Sequence, residues 1–120
     1  MKIIGKNPIT GLDYPDPDVI RVDDTYYMVS TTMHFVPGCE ILRSYDLVHW
    51  EHLSYVYERL DSTEEQRLVG EKNCYGKGMW AASLRYHKGM YYICFVANDT
   101  GKTYPVSYTH LRAHETTLHL

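Results

Sequence analysis

Cysteine is scarce in this 120-residue chain: Cys39, Cys74 and Cys94 are all it contains. The count is odd and the spacing unlike that of metal-binding pairs, so neither a disulfide framework nor a zinc site is favoured. Long apolar runs are also lacking. The longest span only a few residues, far short of the roughly 20 that cross a bilayer. Near the amino terminus, Lys6 and Pro8 interrupt any apolar core of signal-peptide length. A cytoplasmic location is therefore expected, with export left open because Met1 need not start the precursor. There is no basic excess: 12 Lys and Arg face 15 Asp and Glu, a net charge of -3. Without a basic cluster to neutralise phosphates, a nucleic-acid partner is disfavoured. Nothing in the composition calls for a metal, a cofactor or a membrane. The length bounds the chain to one domain, or a piece of one.

Tyrosine, by contrast, is abundant. Most of the 12 tyrosines stand beside β-branched or apolar residues, which suits half-buried strands and also suits stacking on flat ligands such as sugar rings. Val19–Val22, Asp23–Thr25 and Tyr26–Thr31 read as strand, tight turn, strand. Leu84–Tyr86, His87–Gly89 and Met90–Val96 read the same way, with Gly89 tolerating the positive φ of a hairpin turn. The two hairpins form an internal repeat. Arg21 falls on Arg85, and Tyr26-Tyr27 falls on Tyr91-Tyr92 with one residue inserted at the turn. Glu40–Ser44 and His49–Leu53 are also strand-like, and the polar stretch from Glu58 to Gly78 is either a functional loop or a short helix plus loop. A recurring hairpin unit predicts a radial, all-β architecture of the propeller kind, whose blades take roughly 40–45 residues each. About two blades fit here.

The densest chemical feature is Asp13-Tyr14-Pro15-Asp16-Pro17-Asp18, directly before the first strand. The prolines are expected to hold Asp16 in extended backbone. On spacing alone this is either a polar turn or a rigidly presented carboxylate of the kind a positioned base requires. Around it stand Asn7-Pro8-Ile9, Tyr26–Thr32, Phe35-Val36-Pro37-Gly38, Ser44-Tyr45-Asp46-Leu47-Val48-His49-Trp50 and Gly78-Met79-Trp80-Ala81-Ala82. In this order, from Asn7 to Tyr104, the series resembles the N-terminal part of glycoside hydrolase family 43. That is the β-xylosidase and α-L-arabinofuranosidase family, with a five-bladed β-propeller fold.

The resemblance implies the first one to two blades of a truncated propeller, and inverting hydrolysis of a pentoside in an oligosaccharide or polysaccharide. Asp16 matches the family's general base. Trp80 falls, by the repeat, where Asp16 falls in the first blade; it is either a sugar-stacking indole or a core residue between blades. The family continues Trp-Ala-Pro-Asp, whereas this chain has Trp80-Ala81-Ala82-Ser83, so contacts around Ser83 need not match. Met33, His34 and Phe35 lie in a rim segment that in relatives often reads Phe-Glu-Tyr-Phe-Pro-Gly. Met33 takes an aromatic's place beside the sugar. His34 is either a hydrogen-bond donor to substrate or a surface residue. Asp13 and Asp18 are expected to satisfy backbone donors, and Trp50 to pack within its blade. His49, His52 and His87 are read as structural. The family's general acid, a Glu, and the Asp that tunes it come from later blades, so the chain alone is expected to be inactive. Two other readings stay open: a non-catalytic sugar-binding propeller, and a fructoside-hydrolysing propeller enzyme.

Domain organisation follows. Residues 1–104 form the propeller portion. Residues 105–120 read as foreign, because Val106–Thr116 is the translation, in one frame, of a transposon-type sequencing adapter. No strand alternation is expected from Val106 onward, and His110, His114 and His119 carry no functional weight.

Overall fold

The computed structural model describes residues 4–34, 38–57, 78–98, 100–109 and 111. The 58–77 part of the expected long loop, Phe35 and Cys74 lie outside them. Every regular element among the described residues is a strand. The first sheet is a meander of β1 (Asp18–Val22), β2 (Thr25–Ser30), β3 (Glu40–Ser44) and β4 (Trp50–Tyr55), in that spatial order and antiparallel throughout. The second contains β5 (Met79–His87), β6 (Met90–Ala97) and β7 (Lys102–Tyr108), again in sequential order. One four-stranded blade and three strands of the next are present, the all-β propeller portion that the repeat implies.

Both hairpins turn on two residues, since Val22 pairs with Thr25 and His87 with Met90. The residue inserted between the repeats is therefore not at the turn, as the sequence suggested, and Arg21 corresponds to Tyr86 rather than Arg85. The extra residue sits in a bulge in β5, where Ala81 and Ala82 lie between the pairs Trp80↔Val96 and Ser83↔Cys94. A bulge adds a residue to one strand without lengthening its partner. Beyond it the phase is restored. Trp80 opposes Val96, and position 16 falls opposite Thr31 when the β1–β2 register is carried two residues further.

The sheets pack through alternate strand positions. Val29, Ile41 and Leu53 from the first meet Met79, Leu84, Ile93 and Phe95 from the second in one buried cluster. β7 continues past Tyr104, pairing Pro105 with Cys94 and Val106 with Ile93. Val106 and Tyr108 are buried, and the Tyr108 hydroxyl donates to the Val56 carbonyl. The expectation of no strand beyond Tyr104 is thus corrected: small and apolar residues alternate there closely enough to continue the ladder.

The β3–β4 connection is held by one carboxylate. Asp46 Oδ1 accepts the N–H groups of Val48 and His49, both at 2.8 Å, while Oδ2 meets His49 Nδ1 at 2.7 Å. The His49 ring, then those backbone donors, hold this carboxyl well below the usual carboxylate range. The Trp50 indole N–H donates to the Leu47 carbonyl at 3.1 Å. His52 pairs with Glu40 at 2.9 Å. His49, His52 and Trp50 therefore serve this blade's own structure.

Gly38 lies flat against the ring of buried Tyr57, so that any Cβ there would overlap the ring. Gly38→Ala is expected to lower the unfolding free energy by about 1–3 kcal/mol, the usual cost of overpacking, read as a shift of the urea midpoint at unchanged slope.

Candidate active site

The Asp13–Asp18 segment crosses the end of the first sheet before entering β1. Tyr14 is half-buried there, and burial, then the nearby charge of Glu40, raise its phenol above the ordinary range. Asp16 is exposed, and among the described residues its carboxylate makes no hydrogen bond or ion pair. Its backbone is not extended. At φ 45° it lies in the left-handed region, a correction with a clear cause. A following proline disfavours only the right-handed helical region, and Asp is among the few side chains that tolerate the left-handed one.

Three non-glycine residues in left-handed backbone mark this end of the sheets: Asp16, Met33 at φ 66° and Ala81 at φ 41°. Such conformations cost of order 1–3 kcal/mol each and persist only where the surroundings over-determine them. The surroundings here are two consecutive hydroxyls at the end of β2. Ser30 Oγ donates to the Pro15 carbonyl at 2.8 Å, next to Asp16. Thr31 Oγ1 donates to the Met79 carbonyl, next to Trp80, and accepts the Met33 N–H at 2.9 Å. The Met33 carbonyl in turn accepts the Gly78 N–H at 3.1 Å. Both hydroxyl residues are buried, at 1% and 2% exposure, where a polar group needs such partners.

A second tie lies one step down the strands. Asp18 Oδ2 accepts the Leu84 N–H and Arg85 Nη1, each at 2.8 Å. Asp18 therefore satisfies a backbone donor, as expected, but that donor belongs to the neighbouring sheet. Sequence reading did not identify this role, nor those of Ser30, Thr31 and Ala81. The available signal was a Ser-Thr pair ending an otherwise apolar strand.

Of the candidate site residues, the structure brings Asp16, Met33, His34 and Trp80 to the same end of the two sheets; Phe35 lies outside the described residues. Trp80 is 39% exposed in this chain. The β5 bulge leaves it and Ala81 successively exposed, re-aiming the indole out of the strict alternation. His34 is half-buried; its N–H and carbonyl both meet Thr32 Oγ1 at 3.3 Å. Among the described residues no cluster of His, Cys, Asp and Glu could hold a metal ion. Chemically, this end offers an unpaired carboxylate, an indole face and a thioether wall. That set suits water activation beside a stacked sugar.

Comparison with known proteins gives consistent findings. The family model for glycosyl hydrolases family 43 matches residues 5–111. A β-xylosidase from Formosa agariphila is 42% identical over 86 residues, covering 72% of this chain and 14% of that protein. A non-reducing end α-L-arabinofuranosidase from Bacteroides ovatus is 39% identical over 89 residues, covering 73% and 16%. The solved structure of a bifunctional GH43-CE protein from Bacteroides eggerthii superposes with a TM-score of 0.85 at 44% identity, over 95% of this chain and 15% of that one. The chain thus spans about a seventh of the length of these proteins.

Replacing Thr31 by Val keeps the shape and removes both hydrogen bonds. Thr31→Val is expected to cost about 1–3 kcal/mol, because it leaves the part-buried Met33 N–H and the buried Met79 carbonyl unsatisfied. It should also speed hydrogen exchange at the Met33 amide, as native-state exchange by NMR would show.

Proposed function

The chain belongs to glycosyl hydrolases family 43, and from that premise we propose that it carries the water-activating side of an inverting pentosidase site, with Asp16 as general base. The observation supporting this most directly is the isolation of the Asp16 carboxylate. Asp18 commits Oδ2 to the Leu84 N–H and to Arg85, and Asp46 commits both oxygens to backbone N–H groups and the His49 ring, whereas Asp16 keeps both of its own available while Ser30 Oγ holds the carbonyl before it. A group that must take a proton from water needs that combination of fixed position and free lone pairs.

In this reading a pentose ring stacks on Trp80, with Met33 forming the side wall and His34 donating to a hydroxyl at the rim. Water lies between Asp16 and the anomeric carbon. The leaving oxygen points away, toward a carboxylic acid contributed by the parent protein outside this chain. Inversion requires the two carboxyl groups to stand roughly 6.5–9.5 Å apart, leaving space for that water. The substrates are β-xylosides or α-L-arabinofuranosides of oligosaccharides or polysaccharides. These are the two activities named for the relatives above. We also assign residues 105–120 to a translated adapter rather than to the parent, on the frame match of Val106–Thr116.

The test uses the parent, recovered from the source DNA by following the reading frame past Tyr104. It should hydrolyse an aryl β-xyloside or aryl α-L-arabinofuranoside with inversion, seen by proton NMR of the first-formed sugar. Asp16→Asn should lower kcat by about 10²–10⁴-fold, the usual range for losing a general base, and the 120-residue chain should give no turnover. An undiminished kcat in Asp16→Asn, or robust turnover by the short chain, would contradict the assignment.

A further inference from the structure

Ser30 and Thr31 divide between them the segments that carry the candidate site. Neighbouring side chains leave a strand on opposite faces, and these two reach different partners. Ser30 Oγ donates to the Pro15 carbonyl at 2.8 Å. Thr31 Oγ1 donates to the Met79 carbonyl, 48 residues away, and accepts the Met33 N–H. A hydroxyl carries one proton and two lone pairs, and Thr31 uses it both as donor and as acceptor.

What each donated bond holds is a peptide plane. The Pro15 carbonyl lies in the rigid unit that contains the Asp16 nitrogen and Cα, and the Met79 carbonyl in the unit that contains those of Trp80. Fixing the oxygen fixes the plane from which each side chain departs. The ladders do less here. The β1–β2 pairing starts at Asp18↔Val29, so Asp16 lies beyond its end, in left-handed backbone at φ 45°. Trp80 stands at the β5 bulge, where regular pairing resumes only at Ser83↔Cys94, and Ala81 after it is left-handed as well. Met33, the third such residue, is held at its own N–H. Conformations of this kind persist where the surroundings over-determine them.

We infer that Ser30 and Thr31 are positioning residues with separate kinetic roles: Ser30 places the base at Asp16, and Thr31 places the binding wall of Trp80 and Met33. On the pentosidase reading above, on which this inference rests, Asp16 meets water rather than the sugar. A displaced base therefore weakens only the transition state, which lowers kcat and leaves KM unchanged. Trp80 and Met33 meet the sugar before and during the reaction alike. A displaced wall removes uniform binding, which raises KM at unchanged kcat.

The test is steady-state kinetics of the parent protein on whichever aryl β-xyloside or aryl α-L-arabinofuranoside it hydrolyses, with the folded fraction of each variant measured by circular dichroism. Ser30→Ala is expected to lower kcat about 10–100-fold, the effect of misplacing a reacting group by about 1 Å, with KM unchanged. Ser30→Thr keeps the hydroxyl and should restore most of the rate. Thr31→Val is expected to raise KM about tenfold with kcat unchanged, and Thr31→Ser to reverse this. In the Asp16→Asn background Ser30→Ala should lower kcat no further, because it acts through that carboxylate. A merely structural role would lower it again. Thr31→Val should raise KM in that background as before. If Ser30→Ala or Thr31→Val fails to fold, Ser30→Cys or Thr31→Cys, whose thiols are weak donors, replaces it. An undiminished kcat in Asp16→Asn would overturn the base assignment and this inference together. With kcat reduced in Asp16→Asn, three results would overturn this inference alone: an unchanged kcat in Ser30→Ala, a further loss in the double variant, or a KM unmoved by Thr31→Val.

Discussion

Where β2 ends, two neighbouring hydroxyls take over from the ladder, and the arrangement of this end of the sheets depends on them. Ser30 reaches back to the carbonyl before Asp16, and Thr31 reaches across to the carbonyl before Trp80. Neither residue needs to touch a ligand. Their effect is to make the spacing of two distant segments a property of adjacent positions on one strand. Thr31 also accepts the Met33 N–H, so the rim loop is referenced to the same point. Burial strengthens the arrangement, because a hydroxyl removed from water is costly to leave unpaired.

Asp18 supplies the complementary constraint further along the strands. Its carboxylate is shared between a backbone N–H and a guanidinium of the second sheet, and it fixes how β1 lies along β5. The Asp18–Arg85 pair is more than a third exposed on the arginine side, so screening by solvent limits what the charge contributes. Its geometric effect matters more than its energy: two ties on one strand define a rotation, whereas one defines only a distance. The apolar cluster between the sheets provides the non-directional part of the association.

The hairpins were legible in sequence because their signals are local. Alternating Tyr, Val and Ile beside Asp-Asp and Lys-Gly turns is sufficient, and the strands fall close to where those runs predict. The left-handed backbone at Asp16 was not legible, since flanking prolines remove one conformation without selecting among those that remain. The bulge at Ala81 was misplaced to the turn for a related reason. A one-residue insertion shows in the repeat as a change of phase, and only the partner strand shows where the phase changes. Ser30 and Thr31 stood in view within the family motif, but the partner of Thr31 lies 48 residues away. No local pattern announces such a contact. The candidate site was therefore readable as a set of residues and unreadable as a set of distances.

The central claim is that Asp16 and Trp80 flank one opening in which a pentose ring is held. A crystal structure of the parent protein with xylobiose bound tests it most directly. The account predicts a sugar ring lying on the Trp80 indole, with an ordered water bridging its anomeric carbon and the Asp16 carboxylate. A sugar bound elsewhere in the mouth, with Asp16 turned to bulk solvent and no water between them, would contradict it.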